Sequence, residues 1–442
     1  MAADFTTNWN NYPKENSSLR HPNFCDDFSN LLLKESPSFI IRGNGRCYGD
    51  ASLAPFIVST LKFNRILFFD DSNGVLACQA GLILSDILDV IMPKGWFLPV
   101  TPGTKYITVG GAVASDVHGK NHHKDGSFSQ HIVSMKILTP QGEYVTCSAT
   151  ENSELFWFTC GGMGLTGVIL EVTFRLKRVE TGYIKQVQIK SGGLDEVLNL
   201  FEEYGHYTYS VAWIDCLKTG SRFGRSILML GEHAIIPEMN DHTQAYPKKS
   251  KTLTVPFQFP SFVLNGLAVK AFNSVYYNKN YKREMSSVVS YESFFYPLDS
   301  ILHWNRIYGK RGFVQYQFVI PKANGKEGVR DILTRISNKG WGSFLAVLKL
   351  FGTQQGPISF NMEGYTLALD IPINAKLFSF LDELDLMVKD YGGRIYLTKD
   401  ARMKAEIFHS TYPNASSFTS FLKKIDPDKK IVSSLSRRLE IK

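Results

Sequence analysis

Between residues 38 and 178, short β-branched and aromatic runs alternate with glycine-rich turns, and 39–41, 74–77, 132–138 and 168–172 read as strands. One helix interrupts them. Leu84, Ile87, Leu88 and Ile91 recur at helical spacing, Asp86 and Asp89 fall on the other side, and Pro93, Lys94 and Gly95 close the segment. Beyond Glu180 the strands lengthen, as in the alternating run 313–320, and amphipathic helices are expected over 194–204 and 377–388. The stripe Leu377, Phe380, Leu381, Leu384, Val388 predicts core packing, with Gly392 and Gly393 as its C-terminal cap. The pattern predicts an α+β protein. Residues 1–180 form a first unit, and 181–393 a second one built on an antiparallel sheet flanked by helices. Within the second, about 240–290 shows weak periodicity, which suits a mobile functional insert or an ordinary irregular loop.

The chain has 442 residues, 44% hydrophobic and 20% charged, too apolar for a disordered protein and long enough for two or three domains. Its net charge of +8 is scattered in ones and twos, so nucleic-acid binding is not expected; a mild basic excess suits phosphates or an anionic membrane surface. Six separated cysteines without CxxC spacing predict reduced thiols and a cytoplasmic protein. The N-terminus lacks the pattern of a signal peptide, and the stretch 252–269 is broken by Pro256 and Pro260, so no membrane-spanning helix is expected. Pro247, Lys248, Lys249 and Lys251 precede the aromatic run 255–264, a pairing that suits peripheral membrane contact through 248–272.

Three glycine-dense segments carry the candidate chemistry. The first is Arg42, Gly43, Asn44, Gly45, Arg46, Cys47, Tyr48, Gly49, Asp50, directly after a strand. Its glycines let successive N–H groups approach an anion, and its arginines add positive charge, as a pyrophosphate cradle needs. Tyr48 stands where a Rossmann fingerprint requires glycine, and the chain continues as loop rather than helix. The second runs from Thr101 through Gly103 to Thr108, Val109, Gly110, Gly111, then Ser115, Asp116, Val117, His118 and on to His123, with room for a flat ligand. His118, His122 and His123 lack a completing cysteine or carboxylate, so no metal is expected. The third, 157–168, holds four glycines in seven residues before a strand.

Jointly these segments resemble the vanillyl-alcohol-oxidase superfamily of FAD enzymes. The first two motifs, the run 313–321 and the string Tyr396, Leu397, Thr398, Lys399, Asp400 are similar, within it, to the decaprenylphosphoryl-β-D-ribose 2′-oxidase family, over nearly the whole chain from about Ser38. The resemblance implies a PCMH-type FAD-binding domain of two subdomains over 1–180, a substrate domain over 181–393, and a C-terminal segment, 394–442, returning to the FAD domain. It implies that residues 42–50, with Gly103, Thr108 to Gly111, Ser115 to His118, Val168 and Tyr396, line the cofactor. Where several superfamily members attach flavin to a histidine this chain has Arg46, which implies noncovalent FAD.

The implied reaction oxidises the 2′-hydroxyl of a polyprenylphosphoryl-β-D-ribose, the first half of an epimerisation to arabinose that an NAD-dependent ketoreductase completes. Lys399 is then expected at the flavin's pyrimidine edge, with Tyr48 or His118 positioning the hydroxyl or taking its proton. Gln315 and Gln317, on one strand face, and Lys349, for the substrate phosphate, complete the expected site. Mycobacterial members carry a cysteine and an asparagine where this chain has Ala368 and Thr366. Two other readings stay open: an oxidase of free alditols or aldonolactones, and a flavin-binding module without catalysis.

Overall fold

The computed structural model describes residues 5–33, 37–239, 245–247, 252–260, 264 and 266–442. Lys248, Lys249 and Lys251 of the expected membrane segment lie outside the described residues.

The N-terminal part holds two larger sheets, beside the two-stranded pairs Phe5–Thr7 with Lys14–Asn16 and Trp96–Phe97 with Lys177–Arg178. The strands Ser18–Arg20, Phe56–Ser59 and Ile40–Arg42 lie in that order, all parallel. Five antiparallel strands follow in the order Tyr144–Cys147, Ile132–Leu138, Val168–Arg175, Val75–Gln79, Ile66–Asp70. The helix Leu84–Ile91 forms where the apolar stripe predicts it, with Leu84, Ile87, Leu88 and Ile91 buried. The small-residue stretch after Thr108 is also helical, over Val109–Ala114. Thr108 caps it by accepting from the Gly111 N–H, so a capping threonine outweighs two glycines of poor helix propensity.

The second sheet system has eight strands, all antiparallel, in the order Glu284–Ser290, Tyr183–Ser191, Ser226–His233, Tyr209–Ile214, Ala346–Phe351, Gly364–Pro372, Phe313–Pro321, Arg394–Ile395. Strand side chains alternate between faces, which divides the sheet's chemistry in two. Val314, Tyr316, Phe318, Leu367, Leu369 and Leu348 face the helices Lys322–Lys339 and Leu377–Asp390 in one large core. Gln315, Gln317, Thr366, Ala368, Asp370, Val347 and Lys349 face the opposite way, into a cavity.

The segment 240–290, expected to be irregular, contains the helix Gly266–Lys279 and contributes the strand Glu284–Ser290 to the sheet. The helix carries no strong apolar stripe. Tertiary contacts fix it instead: fully buried Asn273 donates to Asp215 Oδ1 at 2.9 Å, and Asp215 Oδ2 pairs with buried Arg225 at 2.8 Å.

After Ile395 the chain crosses back to the N-terminal sheets. The Phe39 N–H donates to Lys430 O and the Val432 N–H to Phe39 O.

Candidate active site

A cavity of about 660 Å³ lies between the glycine-dense turns and the open face of the eight-stranded sheet. All three glycine segments reach it: Gly43 to Tyr48 from the first, Gly103, Thr108, Gly110, Gly111, Ser115, Val117 and His118 from the second, and Met163, Gly164 and Gly167 from the third. The backbone N–H groups of residues 43–47, all of which line the cavity, find no acceptor among the described residues and are free donors. Gly45 sits at φ +60°, a left-handed conformation that glycine adopts without strain, and a Cβ on Gly43 would meet Thr108 Oγ1 at 2.3 Å. A strip of amide donors on a side-chain-free surface fits the diphosphate of a dinucleotide.

The N-terminus braces this turn, a role the sequence pattern does not reveal. Asn8 Nδ2 donates to Gly49 O at 2.7 Å, the Trp9 N–H to Cys47 O at 3.2 Å, and Asn10 Nδ2 to Tyr48 O at 3.1 Å. Arg46 lies over the Trp9 ring at 4.0 Å.

Six expected cofactor contacts fall elsewhere. Arg42 turns behind the loop, donating to Thr7 O at 2.7 Å and to Asn8. Gly49 is pressed against the Asp400 carbonyl, Asp50 pairs with Arg438, and Val109 and Val168 are fully buried in the cores. Asp116 accepts from Ser359 Oγ at 2.6 Å and from the Ser129 N–H, so its carboxyl ties the second segment to the sheet domain. In each case the motif lines the cavity with some of its residues and turns these others away.

The turn 396–400 brings Tyr396, Thr398 and Lys399 to the cavity. The Tyr48 N–H donates to Thr398 O at 2.9 Å, and Lys399 Nζ lies 3.7 Å from the centre of the Tyr48 ring. Tyr396 donates to Ser115 O at 2.8 Å. Lys399, Tyr48, His118, Gln315, Gln317 and Lys349, the expected catalytic and substrate residues, all line the one cavity. Gln317 Nε2 donates to His118 Nε2 at 3.1 Å, and burial drives the His118 imidazole well below its ordinary pKa, so it stays a neutral acceptor. Burial raises the Tyr48 phenol well above its usual value, which keeps it a donor. His122 and His123 are spent on Gln354 and on Tyr207 O.

Sequence reasoning missed Lys120 and Asp370. Lys120 donates to Phe294 O, and burial pulls its ammonium down to about 7. Lys349 is pulled down to about 8 by the same cause. Neither lysine has a carboxylate partner within ion-pair distance among the described residues. Beside them the wall is apolar: Val211, Trp213, Met229, Phe272, Tyr276 and Val347. Only the basic character of Lys120 after His118 hinted at its role, and Asp370 gave no signal outside its strand.

Comparison with known proteins agrees with this geometry. Residues 27–148 match the FAD binding domain family model. The chain is 37% identical over 413 residues to the decaprenylphosphoryl-β-D-ribose oxidase of Mycolicibacterium smegmatis, covering 91% of this chain and 89% of that protein. It is 30% identical over 373 residues to an uncharacterized protein in the mprA 5′ region of Streptomyces coelicolor, covering 81% of this chain and 100% of that protein. L-gulonolactone oxidase of Bos taurus is 29% identical over 146 residues, a third of each chain. The cavity, its free amide donors and this identity across nine-tenths of the sequence lead to one conclusion: the chain belongs to the decaprenylphosphoryl-β-D-ribose oxidase family of FAD-dependent oxidoreductases.

Proposed function

We propose that this enzyme oxidises the 2′-hydroxyl of a polyprenylphosphoryl-β-D-ribose to the 2′-keto sugar, the first half of an epimerisation to the arabinose form. The observation that carries this reading is the pair Lys120 and Lys349, two buried ammonium groups without carboxylate partners, beside an apolar wall in the catalytic cavity. Burying two cations is costly unless an anion joins them. A sugar phosphate supplies that anion and a polyprenyl chain suits the apolar wall; a free alditol supplies neither.

FAD is held without a covalent bond, its diphosphate on the N–H groups of 43–47, because Arg46 occupies the position of the attaching histidine and stacks on Trp9. Bound there, FAD supplies the two-electron acceptor. The chain's own groups do the rest. Lys399, brought down to about 7 by burial, supplies positive charge in its ammonium form at the reacting end, where negative charge builds as the sugar is oxidised. Gln317 and neutral His118 orient sugar hydroxyls, and Lys120 with Lys349 fixes the phosphate.

The product ketone needs an NAD-dependent ketoreductase as a partner to complete the epimerisation. The enzyme works on the cytoplasmic side, touching the inner face of the membrane. Leu267 and Val275, on the helix whose Phe272 and Tyr276 line the cavity, are more than two-thirds exposed, as are Leu253 and Tyr281. Lys270, Lys279 and Lys282 accompany them, which suits an anionic lipid surface.

The test is anaerobic bleaching of the flavin by polyprenylphosphoryl ribose, xylitol and gulonolactone in parallel. Bleaching by the lipid-linked ribose at low concentration is expected. Activity confined to the small sugars replaces this reading with that of an alditol or aldonolactone oxidase.

A further inference from the structure

The strand Gly364–Pro372 brings one further group to the cavity floor. Asp370 pairs in register with Gln315, faces the cavity, and is 1% exposed. Gln315 Nε2 donates to its Oδ1 at 2.5 Å, and its own N–H donates to Ser343 Oγ at 3.1 Å, so the carboxyl is fixed in place. Its second oxygen, Oδ2, closes no full hydrogen bond, and the donor that faces it is the Tyr308 hydroxyl. A buried carboxyl oxygen faced by one incompletely bonded hydroxyl is costly, and such groups mark places where another molecule completes the bonding.

The titratable groups facing Asp370 are Lys399 from the turn 396–400, Tyr308 from the turn Trp304–Tyr308 and Tyr48 from the glycine loop. Cys47 and Lys349 face Lys399 in turn. Burial pushes the Asp370 carboxyl up, against the opposing pull of Gln315 and Lys399. Burial pulls the Lys399 ammonium down, against the opposing pull of Asp370. The two line the same cavity without closing into an ion pair.

The other groups near the reacting end are poor proton acceptors. Gln317 already donates to His118 Nε2, burial holds the His118 imidazole well below its ordinary value and the Tyr48 phenol well above its own, and Lys399, brought down to about 7 by burial, is the positive neighbour of Asp370 in its ammonium form. We infer that Asp370 is the base of the reaction, its Oδ2 accepting the proton of the sugar hydroxyl beside the Lys399 side chain. The O–H bond breaks and its proton passes to the carboxylate. The carbon's hydrogen leaves with the electron pair of its C–H bond for FAD, and the C=O bond forms. This assignment rests on the carbinol oxidation proposed above.

The test compares wild-type holoenzyme with Asp370→Asn and Asp370→Glu in stopped-flow anaerobic bleaching by a short-chain polyprenylphosphoryl ribose across neutral pH. Wild-type rates are expected to rise with pH as the carboxyl ionises. Asp370→Asn should be slowed by about 10²–10⁴-fold, with half-saturation changed less than about threefold, and should lose the rising limb. Asp370→Glu should be slower than wild type yet keep that limb. Infrared difference spectra of the resting holoenzyme provide a readout without turnover: a carboxylic-acid C=O band that titrates in wild type and is missing in Asp370→Asn. An Asp370→Asn enzyme within about tenfold of wild type with the rising limb intact overturns the assignment, as does a wild type lacking the titrating band. Wild type that the ribose does not bleach overturns the substrate reading instead; the same proteins are then compared with xylitol, which decides the base.

Discussion

Arg438, near the C-terminal end of the sequence, grips Asp50 with two bonds, Nε to Oδ2 at 2.9 Å and Nη2 to Oδ1 at 2.7 Å, while its Nη1 lies 2.8 Å from Asp400 Oδ2. One guanidinium thereby joins the end of the glycine loop to the turn that carries Lys399. Arg438→Met leaves two buried carboxylates without their cation, and a loss of about 3–5 kcal/mol is expected in denaturant unfolding of the holoenzyme. Adding Asp50→Asn to that variant should recover part of the loss. A single variant within about 1 kcal/mol of wild type contradicts the clamp.

Gly49 touches the same turn from the other side, and a Cβ there would stand 1.7 Å from the Asp400 carbonyl oxygen. Backbone cannot yield as a flexible side chain can. Gly49→Ala is expected to cost about 1–3 kcal/mol and to purify with reduced flavin content, measured by absorbance against protein.

Lys399→Ala removes the cation above the Tyr48 ring while leaving the amide donors of 43–47 intact. FAD should remain bound, and its reduction by substrate should slow by about 10²–10³-fold. Unchanged anaerobic rates remove Lys399 from the chemistry.

The proposed recognition of a phosphate by Lys120 and Lys349 carries a pH signature. Burial lowers Lys349 to about 8 and Lys120 to about 7, so their positive charge fades as pH rises through these values. KM for a polyprenylphosphoryl sugar should therefore climb above neutral pH. In Lys349→Ala it should start about 10–100-fold higher and climb less steeply; a free alditol should show neither trend. Linkage gives the stability change the opposite sense. Between these folded values and the ordinary 10.5 the unfolded chain binds more protons, so these lysines make the ligand-free fold more stable as pH rises, which thermal unfolding across that range measures.

Segments whose local chemistry has a single use were legible in the chain. The stripe Leu84, Ile87, Leu88, Ile91 folds as the helix it predicts, because burial of one face at helical spacing needs no other information. The three glycine-dense turns meet at one cavity, since only glycine tolerates so close an approach of backbone to ligand. Lys399 was found through family likeness rather than through its neighbours.

The sequence by itself determined the helices with a clear apolar stripe, the glycine-dense turns and the placing of Gln315 with Gln317 on one face, because these depend on residues close along the chain, whereas the helix Gly266–Lys279 was fixed by tertiary contacts. Tertiary structure alone decided which loop residues turn away, as Arg42, Asp50 and Asp116 do, and which distant ones arrive, as Asn8, Lys120 and Arg438 do. Asp370 shows the physical reason. Its place opposite Gln315 is set by strand register, and the cost of its burial by every element packed around it; neither quantity is local to the chain.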